Sequence, residues 1–411
     1  MLILSTINIA LRGVTIVSKF LILFFLAKFL SPTDLGIYGL FTVTINILVL
    51  VVGIDFYVFN TRELLSTNNK NQWNLIKNQF FLHLITYVVI FPFVSILFII
   101  GIIPLDLIIY FYILLILEHL LQESSRLLFT LSKPILSNLV LFFRSGIWVY
   151  FSITLIYLDE ELKNLEFIFI MWIFGGMLGL ILVIIYFRKH RNLSVKANVD
   201  FKWIIRGLRT SSSFYLSTLV LLIIQYIDRY IIKYYYGDTS VGVYTFFTNI
   251  SNVIQTFIVT GVFSILYPKL ISSFKKGNMN EYKKIFSRMV KYTILGLVPI
   301  LFILSIGIFP LLNFIDKEVY TNYILVFFIL IFAVTFNILS QIPHYGLYSR
   351  GNDKEILIST LASAIVAVIL NLLLIPRYEL YGAAISSAVS MLLLAIFKLI
   401  ILKRVTKLEA V

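Results

Sequence analysis

The chain has 411 residues, of which 60% are hydrophobic and 13% charged, with a formal net charge of +14; a soluble domain carries about a quarter charged residues. Cysteine is absent, which excludes disulfides, thiolate metal sites and cysteine nucleophiles. The four histidines lie without ligand spacing, and the basic residues fall in loops between apolar runs, a distribution that excludes a nucleic-acid face.

A membrane-crossing helix needs about 20 mostly apolar residues. On that rule twelve are predicted, at 5–30, 35–59, 79–102, 105–130, 135–158, 165–187, 211–236, 241–268, 291–315, 321–346, 356–375 and 381–402. The first apolar run is interrupted by Arg12 and Lys19 and has no small-residue cleavage site after it, so it reads as a retained helix rather than a removable signal. The fold class is all-α, a polytopic membrane protein.

The connections alternate between long, basic segments (60–78, 188–210, 269–290) and short ones such as 31–34, 237–240 and 316–320. Twenty-five Lys and Arg, including Lys398 and those that follow it, fall on one side, against Lys163, Lys317 and Arg377 on the other. Positive charge stays in the cytoplasm, which places both termini there and the chain in the cytoplasmic (inner) membrane. The long basic segments are expected to lie on the inner leaflet, with Trp203 as interfacial anchor. The outer loops leave no room for a catalytic domain, no phosphate-binding GxxxxGK[ST] run occurs, and no paired-carboxylate, Ser/His/Asp or metal constellation is found. Neither chemical catalysis nor a cofactor is expected.

An internal repeat organises the halves. Leu35-Gly36-Ile37-Tyr38-Gly39-Leu40-Phe41 matches Val241-Gly242-Val243-Tyr244-Thr245-Phe246-Phe247 at an offset of 206 residues, half the chain. Each copy follows a charge-bearing span and a four-residue turn. This predicts two six-helix bundles, 1–190 and 211–411, joined by a basic linker over 191–210 and related by an axis along the membrane normal, an arrangement common in transporters.

Four stretches, AKFLSPTDLGIYGLF (27–41), IDRYIIKYYYGDTSVGVYTFF (227–247), YPKLISSFKKGNMNEYKKIF (267–286) and IPRYELYGAAISSAVS (375–390), resemble the Wzx-type flippases of O-antigen and capsule repeat units. Those flippases belong to the multidrug/oligosaccharidyl-lipid/polysaccharide exporter superfamily. The resemblance implies a V-shaped pair of bundles around a central cavity. It also implies movement of an undecaprenyl-diphosphate-linked oligosaccharide from the inner to the outer leaflet, with membrane lipids, H⁺ or Na⁺, and polymerase or chain-length proteins of the same pathway as partners. The alternatives are a multidrug exporter of the same superfamily and a membrane glycan polymerase.

Family members have a cation-rich lumen, and the candidates for it here are Arg12, Lys19, Arg144, Arg229 and Lys233. Arg12 and Lys19 are seven apart and share a helix face; Arg12 and Lys233 are also placed to snorkel to an interface. Arg144 lies mid-span in LVLFFRSGIWVYF, where no lipid-facing arginine is expected. Asp228 and Arg229 are chain neighbours that point apart, so each is expected to find a partner on another helix, as a functional pair or as a structural tie. Asn249, Asn252, Gln255, Asn337, Gln341 and Tyr345 form amide and aromatic faces suited either to sugar hydroxyls or to interhelical bonding. Asp55, Asp228, Glu118 and His344 are candidate coupling groups. Glu118 begins a stripe with Gln122, Ser125 and Arg126 that either lines a polar mouth or satisfies itself. Ser386, Ser387 and Ser390 are read as close helix packing.

Overall fold

The computed structural model describes residues 2–67, 69–190 and 198–408, and no strand occurs among them. Residues 191–197 of the expected linker lie outside the described residues. The helices are α1 (Leu2–Phe29), α2 (Pro32–Gly53), α3 (Phe56–Ser66), α4 (Asn69–Val94), α5 (Ile96–Ile99), α6 (Ile108–Thr130), α7 (Pro134–Phe142), α8 (Trp148–Leu158), α9 (Leu165–His190), α10 (Phe201–Ile258), α11 (Ser264–Lys275), α12 (Met279–Ile315), α13 (Glu318–Asn322), α14 (Ile324–Ser349) and α15 (Asp353–Leu408).

Ten helical stretches among the described residues are long and apolar enough to cross a membrane. Two of them, Tyr215–Lys275 and Asp353–Thr406, are long enough to cross twice, and each contains a break. At Gly237 the backbone takes φ 75°, ψ −175°; at Glu379 it takes φ 51°, ψ −130°, three residues after Pro376. Ten stretches with two doubled give the twelve crossings expected from the sequence. The first conformation belongs to glycine, which lacks the Cβ that forbids it. The outward faces are apolar, with Val88 76% and Ile303 65% exposed, as a lipid solvent demands.

Local chemistry sets the other boundaries. Ser31 caps α2, its Oγ accepting from the Asp34 backbone N–H at 3.0 Å, and Pro32 fills the first helical position, where its missing N–H costs nothing. α2 ends where two successive non-glycine residues, Ile54 (φ 50°) and Asp55 (φ 47°), adopt left-handed conformations. Between α7 and α8 the chain makes a π turn over Phe143–Ile147, and a second one joins α10 to α11 over Val259–Phe263.

The chain forms two compact units, Met1–Leu219 and Val220–Val411. The repeat lies at comparable positions in their cores. In the first unit Phe41 stacks on Phe169 (4.2 Å between centroids) and meets Phe111 edge-on (4.9 Å). In the second, Phe247 lies against Phe327 (6.0 Å) and Phe246 against Tyr320 (4.7 Å). The start of α10 departs from the sequence expectation. Trp203 is not an interfacial anchor but is buried with Phe56, Phe59, Leu82 and Ile204. Its indole N–H donates to Glu63 at 3.0 Å. A side chain with a large apolar body and one donor finds both needs met inside the first unit.

Candidate functional site

In the first unit a charge cluster forms around the π turn. The turn carries one more residue than an α-helix would, and Arg144 within it faces α6. There its Nε donates to Glu118 Oε2 and its Nη2 to Gln122 Oε1 at 3.1 Å. The second Glu118 oxygen accepts from Trp172 Nε1 at 2.8 Å. The two charged side chains are 12% and 7% exposed. Close approach depends on glycines: a Cβ on Gly175 would meet the Phe143 carbonyl oxygen at 2.8 Å, and one on Gly146 the Phe142 ring at 2.6 Å. Lys19, on α1, is exposed and lies within electrostatic range of both Arg144 and Glu118. Arg12, also exposed, donates to Asn138 Oδ1 at 3.1 Å, and Asn138 donates to Asn8 at 2.8 Å.

The rest of the α6 stripe is taken up internally. Ser125 bonds Ser137 at 2.9 Å, and Arg126 pairs with Glu123 at 2.7 Å while covering the Tyr57 ring at 3.7 Å. Glu123 also accepts from Gln79 at 2.6 Å. Gln79 reaches His83 at 3.2 Å, and His83 meets His119 edge to face at 4.5 Å. His119 Nδ1 bonds Tyr87 at 2.6 Å. Sequence reasoning missed this network, although Gln79 and His83 are one helical turn apart in an apolar run. Asp55 stands at the break after α2, 6% exposed, and accepts from Thr218 at 2.8 Å.

The second unit holds its own cluster. Asp228 Oδ2 accepts from Tyr244 at 2.7 Å, and Arg229 Nη2 donates to Thr248 Oγ1 at 2.8 Å. Each therefore has a partner on the helix beyond Gly237. The two also touch, Arg229 Nη1 lying 3.4 Å from Asp228 Oδ1, because Nη1 folds back along its own helix to the Gln225 carbonyl at 3.0 Å. Arg229 Nε is buried with no partner. Tyr244 is the repeat counterpart of Tyr38, which lies within electrostatic range of Glu118. In both units, then, the repeat tyrosine stands beside a buried carboxylate–arginine pair.

A cavity of about 270 Å³ adjoins Asp228, Arg229, Tyr244, Asn252, Gln255 and Asn337. Asn337 donates to Gln255 at 3.2 Å. Asn252 is exposed, and Asn249 and Gln341 are half-buried. Ser387 also lines the cavity, 3.4 Å from the Tyr244 hydroxyl, whereas Ser386 and Ser390 bond backbone carbonyls within α15. Lys233 is placed elsewhere, paired with Asp238 of the Gly237 turn at 2.6 Å. Tyr345 stacks on Tyr267 at 5.3 Å and His344 on Tyr348 at 6.2 Å; neither lines the cavity.

Twelve membrane-length crossings in two units, each with an ion pair among its helices, are the build of a polytopic membrane protein, and solved structures share the fold. An inward-facing multidrug resistance MATE family transporter of the MOP superfamily superposes with a TM-score of 0.74 at 12% identity, covering 97% of this chain and 99% of that one. The lipid II flippase MurJ in an inward closed conformation gives 0.72 at 15% identity, covering 96% and 87%. A MOP superfamily transporter from Pyrococcus furiosus, described by the reverse polarity of its binding pocket, gives 0.61 at 14% identity, covering 97% and 93%. A search of curated protein sequences returns no significant match. The profile of the polysaccharide biosynthesis protein family matches residues 3–275, and the chain belongs to that family.

Proposed function

We propose that this protein is a flippase that carries an undecaprenyl-diphosphate-linked oligosaccharide across the cytoplasmic membrane, exposing its binding groups alternately to the inner and outer leaflets. The observation that carries the reading is the second-unit cavity. Inside membrane-spanning helices it presents Arg229, with Nε unpartnered, beside the amides of Asn252, Gln255 and Asn337. A guanidinium suits phosphoryl oxygens, and amides suit sugar hydroxyls. Lys19 is an exposed cation of the first unit, within electrostatic range of the Glu118–Arg144 pair. Family membership supports a role in polysaccharide assembly, with the polymerase of the same pathway as consumer of the product. The termini are assigned to the cytoplasm by the Lys and Arg asymmetry. H⁺ or Na⁺ is the coupling ion of this proposal, with Asp228 as the carboxylate nearest the cavity.

Reconstituted vesicles loaded with a fluorescent lipid-diphosphate oligosaccharide test this directly. Protein-dependent movement between leaflets is expected, with at least a ~10-fold loss in Lys19→Ala and Asn252→Ala, both exposed positions whose truncation spares the fold. No movement of this lipid, or efflux of cationic dyes instead, would overturn the proposal; the second result would favour a multidrug exporter.

A further inference from the structure

The first unit contains a cavity for which the proposed transport cycle has no use. It measures about 400 Å³, lies among α4, α6 and α9, and shares no lining residue with the Arg229 cavity. Its apolar wall is made by residues at helical spacing: Trp73, Ile76 and Phe80 from α4, Leu120 from α6, Val183 and Phe187 from α9. Trp73 meets Phe187 edge-on at 5.6 Å and joins α4 to α9. Packed core stands behind the wall, Ile76 being buried with Leu64 and Leu127, and Val183 with Leu121 and Leu128. Ile184 also lines the cavity and is 45% exposed. The cavity therefore opens on the outward face of α9, which continues through the exposed Ile181 and Ile185. In a membrane such an opening meets lipid tails rather than water.

An apolar void beside hydrocarbon takes a lipid tail, because unfilled space forfeits dispersion contacts. The tail alone selects nothing, since it is as well solvated in the bilayer as in the cavity. Selectivity comes from the rim. Lys77 and Arg188 line the same cavity, and both are exposed. They stand at one membrane surface on helices that run in opposite directions. Lys77 lies near the start of the apolar stretch Gln72–Ile99, and Arg188 beside the end of Leu165–Lys189. Trp73, one turn from Lys77, has the amphipathic ring that favours the headgroup level. The Lys and Arg asymmetry assigns this end to the cytoplasm, where the leaflet is rich in anionic lipids. Two cations at the mouth of an apolar slot complement one molecule with an anionic head and a long tail.

We propose that this cavity binds an anionic glycerophospholipid of the inner leaflet. One acyl chain enters between α4, α6 and α9, and Lys77 and Arg188 hold the phosphate through charge-assisted N–H donors. The lipid is a resident ligand of the first unit and is not carried, so the site stands independently of the flippase reading.

Thermal unfolding of the delipidated full-length protein in a neutral detergent tests this, with phosphatidylglycerol, phosphatidylcholine and a polyprenyl diphosphate as probes. Phosphatidylglycerol should raise the Tm by about 3 °C or more, as saturating binding does, and phosphatidylcholine with the same chains should not. The double variant Lys77→Gln, Arg188→Gln should melt with the parent in the absence of lipid, because both positions are exposed, and should lose the shift. Ile184→Trp narrows the opening while keeping both cations, and should weaken phosphatidylglycerol binding about tenfold. That arm tests the tail slot even where removal of the charges lowers the Tm. Lys354→Gln, an exposed position of the second unit, should keep the full shift. No shift, equal shifts with the two phospholipids, or a full phosphatidylglycerol shift in the double variant would overturn the proposal, as would a loss in Lys354→Gln as large as in the double variant. A shift with the polyprenyl diphosphate alone, dependent on Lys77 and Arg188, would also overturn it and give the cavity to the carried lipid.

Discussion

At the scale of residues, a buried charge is defined by its partner, and partners are what spacing along the chain does not supply. Arg144 and Glu118 lie 26 positions apart and become one ion pair through a π turn. Removing one member leaves the other charge buried alone, which costs about 3–5 kcal/mol. Arg144→Gln should therefore lower unfolding stability in detergent by about that amount, while the double change with Glu118→Gln should cost clearly less than the sum of the single changes, the signature of direct coupling. Additive losses would mean that the pair does not interact. Arg126 sits 31% exposed in its pair with Glu123. Its loss should be smaller, because water and the Tyr57 ring already share its charge.

At the scale of elements, the breaks carry the architecture. Gly237 lets one continuous helix reverse at the membrane surface, and a Cβ added there would meet nothing within 4 Å. Gly237→Ala should still destabilise the protein by about 1–3 kcal/mol, through backbone conformation alone. An unchanged Tm would show that the turn tolerates another geometry. Gly207 is the opposite case: a Cβ would meet the Phe56 ring at 2.4 Å and the Phe59 ring at 2.6 Å. Gly207→Ala should push the start of α10 off α3 and make the bond between Lys202 and Trp203 more susceptible to protease, an effect with a steric origin. Tyr236 donates to the Pro376 carbonyl at 2.9 Å and Tyr323 to Glu379 at 2.6 Å. The first bond holds the two breaks of the second unit beside one another and the second ties Glu379 to the start of α14, so a strained Glu379 persists because its carboxylate is held.

At the scale of the whole molecule, hydropathy and charge asymmetry decide much before any packing is known. The apolar spans, their number and the positions of the turns are local properties of about 20 residues each, so they were legible in the chain, as was the repeat at half its length. An expectation of the same kind is that reporter fusions after residue 189 or at the C-terminus report the cytoplasm and insertions at 237–240 the outside; the reverse pattern would overturn the assigned orientation. Side-chain fates were legible only in part. Asp228 and Arg229 were expected to need partners, and Tyr244 and Thr248 supply them. Trp203 was read as interfacial, since composition alone cannot tell a helix end in water from one folded against its own protein. The histidine network of α4 and α6 had only the one-turn spacing of Gln79 and His83 to announce it, because its other members meet across helices. The sequence by itself determined that this chain enters a membrane, how often it crosses and where it turns, because transfer from water to hydrocarbon acts on each segment separately. Which charges are paired, which stand open to a cavity and which are buried without a partner was decided only by tertiary structure, since a low-dielectric interior makes every charge depend on the few atoms that the fold brings next to it.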